Sequence, residues 1–206
     1  MSKVGEFRRQ LGKELERRHA GEYRFLVSRE TLVRKQPDGD DAVYLDVTST
    51  CSPFVSLYLL FGRRFDAATK AERWAGKSAS YYQVIHYSVN EQMFRRIGWD
   101  APRKWRLDLR EVPNGLVDEV ETLIRNFGDP WFDRFRDLRV ARDAIIDSGT
   151  DWCLSGDPHA VLALDAALGD VDDMRRCVES QKMYRHEQMA DLARRYAEYV
   201  KFVESS

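Results

Sequence analysis

Cysteine is scarce in this chain: three residues in 206, Cys51, Cys153 and Cys177, lie far apart and have no local metal-site companions. That spacing argues against a disulfide-stapled scaffold or a short-spaced zinc site, and predicts reduced, mostly buried thiols in a cytoplasmic protein. The four histidines, His19, His86, His159 and His186, are scattered. HExxH, GxGxxG and the P-loop pattern GxxxxGK followed by Ser or Thr are all missing, and Ser155-Gly156-Asp157 reads as a turn rather than a GxSxG nucleophile elbow. No metal or cofactor is expected.

A dominant sign of charge is also lacking, since 33 Lys and Arg stand against 34 Asp and Glu, for a formal net charge of −1. Nothing global then pulls the chain toward nucleic acid or an anionic membrane. Long apolar runs are absent too: no segment reaches the roughly 18–20 residues that a bilayer span needs. The basic N-terminus carries no apolar signal-peptide middle.

What is present is a division of pattern. Val4, Phe7, Leu11 and Leu15 predict an amphipathic helix over about residues 4–20, stopped at Gly21. Arg8, Arg9, Lys13, Arg17 and Arg18 crowd it, and a solvated face with a Glu14–Arg18 pair accounts for them better than a phosphate site. Residues 26–35 read as a strand and Pro37-Asp38-Gly39-Asp40 as a hairpin turn whose glycine tolerates positive φ. Val43, Leu45 and Val47 alternate with polar neighbours, and Phe54 to Phe61 forms the strongest apolar run, so both segments read as strands. Arg63 and Arg64 close that run, with solvent as the expected destination. Further strands are expected at 78–89 and 105–109, giving a sheet of four or five strands, most simply antiparallel.

After Pro113-Asn114-Gly115 the period becomes helical. Leu116, Val120, Leu123, Ile124 and Phe127 mark one face, with Gly128 as a stop; Asp129 and Pro130 then open a short helix anchored by Trp131, Phe132, Phe135 and Leu138. Further helices are expected at 140–146, 158–168, 171–178 and 182–203, the last with Met189, Leu192, Tyr196, Tyr199 and Val203 as its stripe. Asp172 and Asp173 fall at a helix start, where they complement its partial positive charge. The expected architecture is α+β: a curved antiparallel sheet packed with helices over residues 1–147, and a helical extension over 148–206 packed on it.

Aromatic residues carry the binding signal. Tyr81, Tyr82 and Tyr87, flanked by Trp74 and Trp99, exceed what a minimal sheet core demands, and some are candidates for a partner interface. Arg63, Arg64, Tyr82 and His86 are the candidate binding residues; no residue stands out as catalytic. The leading expectation is a non-enzymatic protein that binds another protein, with homo-oligomerisation left open. One alternative is a small-molecule hydrolase or transferase using His86 with Asp46, Tyr87 or an arginine in a sheet pocket. Another is a structural adaptor acting through the C-terminal helices, with Tyr196 and Tyr199 in self-association.

The opening helix, the β-rich stretch with Phe54 to Phe61, and Asp129-Pro130-Trp131-Phe132 followed by Phe135 resemble the DUF4304 class of uncharacterised bacterial domains over about residues 1–147. The resemblance implies an N-terminal helix, a curved antiparallel sheet and a Trp-Phe helix, and no active site. It also implies a protein partner, a toxin neutralised by steric occlusion being one such partner.

Overall fold

The computed structural model describes residues 3–51, 54–76, 85–89, 107–108, 112–146, 158–180 and 186–206. Two compact units are built from interleaved segments. The first comprises Met1–Gln36, Asp41–Gly62 and Tyr87–Asp133, the second Pro37–Asp40, Arg63–His86 and Arg134–Ser206.

Helix α1 (Lys3–Arg18) buries Phe7, Leu11 and Leu15, the stripe that four-residue spacing predicts. Arg17 and Arg18 sit in its last turn, where positive charge meets the negative end of the helix dipole. The chain turns away at Gly21, where φ is 87°. The single strand expected at 26–35 is instead two, β1 (Arg24–Leu26) and β2 (Thr31–Gln36), paired antiparallel with Phe25 opposite Leu32.

Strands β3 (Gly39–Cys51) and β4 (Phe54–Phe65) follow, then α2 (Asp66–Trp74), β5 (Ile85–Val89) and β6 (Leu107–Asp108). The six strands run in the order β1-β2-β3-β4-β5, with β6 antiparallel to β4 through Phe54 opposite Asp108. This is an open array, which corrects the curved sheet expected from the sequence. Alternation sets which face a strand buries; bending a sheet depends on bulges and pairing that alternation does not encode.

Gly39 is required for a different reason than turn geometry. Its φ is not among the positive values, and a Cβ there would overlap the backbone carbonyl of Arg64. At this point the neighbouring strand β4 lies too close for any side chain.

Helix α3 (Asn114–Leu123) buries Leu116, Val117, Val120 and Leu123. It does not stop at Gly128. A π-helical turn, Ile124–Gly128, carries it directly into α4 (Asp129–Arg134), with the Asp129 N–H donating to the Ile124 carbonyl five residues back. Pro130 has no N–H for an α-type bond, and the wider π turn just before it absorbs that missing donor. Asp129 has φ −61° and ψ −48°, inside the helix rather than capping one. A Cβ on Gly128 would stand 2.9 Å from the Phe61 ring, so this glycine allows close packing instead of ending a helix.

Among its described residues the second unit holds α2 and four further helices: α5 (Leu138–Ile146), α6 (Pro158–Leu168), α7 (Val171–Ser180) and α8 (His186–Glu204). Every residue from Ala160 to Ala166 is buried, and α6 packs against α2, α5, α7 and α8. An apolar surface all round predicts such a central position. On α8, Met189, Leu192, Tyr196 and Val200 form the buried stripe, whereas Val203 is exposed.

Candidate functional site

Of the four residues singled out by sequence, Arg63 and Arg64 alone have described side chains. Arg63 and Arg64 occupy successive positions of β4 and so point to opposite faces. Solvent was their expected destination, and that is corrected: Arg63 is 1% exposed. The period of two explains it, because Arg63 continues the inward phase of Leu57, Leu59 and Phe61. A buried guanidinium needs a counter-charge. Arg63 Nη2 donates to Asp38 Oδ1 at 2.7 Å, and the guanidinium lies 5.1 Å from the Phe65 ring centre. Arg64 pairs with the fully buried Asp40 and with Asp66 at 3.3 Å. The acidic turn at 38–40 is thus the counter-charge of these arginines. Tyr82 and the side chains of His86 and Tyr87 lie outside what is described, while Asp46 sits close enough to act electrostatically on Arg8.

A second network ties together strands and helix in the first unit. Arg34 donates to Asp41 through Nε at 3.0 Å and to Asp129 through Nη1 at 2.8 Å, and Tyr23 donates its hydroxyl to the same Asp129 oxygen at 3.0 Å. Gln36 adds a bond to Asp41 at 2.7 Å. Burial pushes the Tyr23 phenol well up, with Asp129 and Asp41 adding to the effect and Arg34 opposing it. Every ionic group here has a partner, so the network reads as a fold-specifying one.

The second unit contains a cluster that sequence reading passed over. Arg142 on α5 meets Asp143 on its own helix, Asp165 on α6, Asp170 in the following turn and Asp173 on α7. Burial pushes the Asp165 carboxyl up to about 7; Arg142 opposes this, and Asp173, Asp170 and Asp143 reinforce it. A visible signal was available: Asp165 is the single charge within the apolar run Ala160–Leu168. Cys177 on α7 is half-buried, and burial, then Asp165, pushes its thiol up to about 11. That leaves it protonated and a poor nucleophile at neutral pH. Among the described residues, no group of His, Cys, Asp and Glu could hold a metal ion.

Apolar surface gathers at one place in the second unit. Trp74 at the end of α2 stacks on Phe202 of α8, ring centres 4.7 Å apart at 24°, with Tyr199 at 6.0 Å. Trp74 is 48% exposed and Phe202 51%, and the adjacent Val203 is equally open. Trp74 belongs to the aromatic group that the sequence suggested; Phe202 was missed because it lies off the buried stripe of α8. Tyr196, by contrast, is fully buried and belongs to the core rather than to a surface.

Around the C-terminal hairpin, acids and arginines are interleaved and paired along each helix. Arg175 bonds Asp172 at 3.1 Å, Arg194 reaches Asp191 at 2.7 Å and Glu198 at 2.6 Å, and Arg195 bonds Asp191 at 2.9 Å. Such pairing mutes the field that a charged partner would feel. Among the described residues no helix is long and apolar enough to cross a membrane. Comparison with protein-family models, curated proteins and solved structures returned no match.

Proposed function

We propose that this chain is a non-enzymatic protein-binding protein whose contact face is the aromatic shelf of Trp74, Tyr199, Phe202 and Val203. The stacked, half-exposed Trp74–Phe202 pair carries this reading. Single exposed apolar residues are ordinary, but two large rings held face to face present a ready-made platform. Aromatic rings bury much area for two side-chain torsions, which is why they dominate binding hot spots. Arg175 of α7 is paired with Asp172, and Arg194 and Arg195 of α8 with Asp191 and Glu198, so apolar contact rather than these charges supplies the affinity. Occlusion of a bacterial toxin is the particular form that the sequence resemblance implies.

The test is capture of a partner by the purified full chain at cellular salt, its identification, and titration against the double variant W74A/F202A. The double variant should keep its thermal transition and lose at least tenfold in affinity, since hot-spot truncations cost about 2 kcal/mol or more. Equal affinity in the folded double variant refutes the proposed face, and failure to retain any macromolecule refutes the function.

A further inference from the structure

We propose that Asp165 is a proton latch of the helical unit, a carboxyl that holds its proton while α5, α6 and α7 are tightly packed and whose ionisation loosens them. The geometry is one cation shared by four carboxylates. Arg142, 8% exposed, approaches Asp173 at 2.7 Å, Asp143 at 3.2 Å, Asp165 at 3.2 Å and Asp170 at 3.8 Å. One guanidinium cannot neutralise four anions, so the site favours holding a proton on one of them.

Which acid holds it follows from access to water and to donors. Asp143, Asp170 and Asp173 retain 54%, 28% and 14% side-chain exposure, whereas Asp165 retains none. Asp170 accepts the Asp173 backbone N–H at 3.0 Å, which holds its carboxyl below the ordinary range, and Asp173 also pairs with Arg176. Neither oxygen of Asp165 accepts a hydrogen bond, and its approach to Arg142 Nε is not aligned for one. An anion there is buried with one poorly oriented partner; the neutral acid is the form the site tolerates.

The remaining titratable neighbours leave this assignment intact. From α7, Cys177 faces the cluster as a neutral thiol. From α2 and α8, both packed on α6, the buried titratable side chains are Glu72 and Tyr196, and neither ranks among the groups that govern Asp165. The sign follows from linkage. The folded state holds the Asp165 proton up to about pH 7, whereas the unfolded chain releases it near the ordinary aspartate value of 3.8. The stabilisation is therefore complete below about pH 4 and is lost as pH rises toward and through 7.

Hydrogen exchange of the α6 amides in the full chain, corrected for intrinsic exchange, reads the latch. Between pH 5.5 and 8.5 the opening equilibrium should rise roughly thirtyfold in the native chain. D165N, which mimics the protonated acid, should abolish this rise and keep the protection seen at pH 5.5. D173N removes the closest anion from Arg142 and should lower the midpoint, because the guanidinium then turns to Asp165. The same pH slope in D165N as in the native chain overturns the latch, as does an unmoved midpoint in D173N. Should D165N fail to fold, the carboxyl carbon shift of Asp165 in the native chain decides: a midpoint near 4 refutes the proposal and one near 7 supports it.

Discussion

Replacing Gly12 by alanine sets two effects of opposite sign against each other within α1. Alanine is the best helix former and glycine among the worst, so the change alone should add about 1 kcal/mol. The position, however, is buried against β1, where an added Cβ would come closer than 3.0 Å to three atoms of the Phe25 ring. Phe25 is itself 5% exposed, and its backbone N–H donates to the Glu16 carboxylate at 3.1 Å, one turn beyond Gly12, so strand and helix are tied at the point of conflict. Overpacking of a dense interior costs about 1–3 kcal/mol, and a clash with three ring atoms belongs at the upper end. The net expectation is a loss of about 1–2 kcal/mol, a drop of roughly 2–8 °C in the thermal midpoint. Gly115, near the start of α3 in the same unit, provides the matched control, for nothing lies within 4 Å of its Cβ direction. Gly115→Ala should stabilise by up to about 1 kcal/mol. Urea unfolding followed by circular dichroism, on Gly12→Ala, Gly115→Ala, Phe25→Leu and the Gly12→Ala/Phe25→Leu double variant, measures all terms. The double variant should recover at least about 1 kcal/mol relative to the sum of its singles. If Gly12→Ala stabilises as Gly115→Ala does, or if Phe25→Leu brings no recovery, the close approach is not what keeps glycine at this position.

Two further outcomes are expected. His19 is buried with neither ring nitrogen hydrogen-bonded, and burial, then the Arg125 charge, lowers its pKa. The unfolded chain then takes up the proton first, so stability of the first unit is lost as pH falls below about 6.5. Melts between pH 7.5 and 5 should show this decline, His19→Phe should flatten it, and an unchanged slope in that variant would assign the acid sensitivity elsewhere. Gly39→Ala should destabilise by at least about 3 kcal/mol, since the obstacle is the Arg64 backbone carbonyl, which cannot rotate away as a side chain can. A folded Gly39→Ala chain with a native midpoint would show that β3 and β4 do not approach as closely as described.

Much of the local structure was legible from the residues alone. The stripe Phe7, Leu11 and Leu15, the alternation of Val43, Leu45 and Val47, the run ending at Phe61, and the separate helices expected at 158–168 and 171–178 each place an element within a few residues of where it lies. These are properties of consecutive side chains, and a helix or strand expresses them wherever it packs. The same logic would have placed Arg63 on the inner face had its charge not argued for solvent. Gly128 misled for the complementary reason: glycine commonly ends helices, but here the neighbour that requires it, Phe61, is remote in sequence.

The sequence by itself determined where most of the helices and strands lie, though not α2 or the division of residues 26–35 into β1 and β2, and which side of elements such as α1 and β3 is apolar. Only the tertiary structure decided that the sheet stays open, that Asp38 and Asp40 neutralise Arg63 and Arg64, that Asp165 is sealed beside Arg142, and that Trp74 meets Phe202 at the surface. The physical reason is range. Periodicity acts between residues three or four apart, whereas the state of a buried charge or the exposure of a ring depends on groups brought from 20 to more than 100 positions away, as Arg63 is from Asp38 and Phe202 from Trp74.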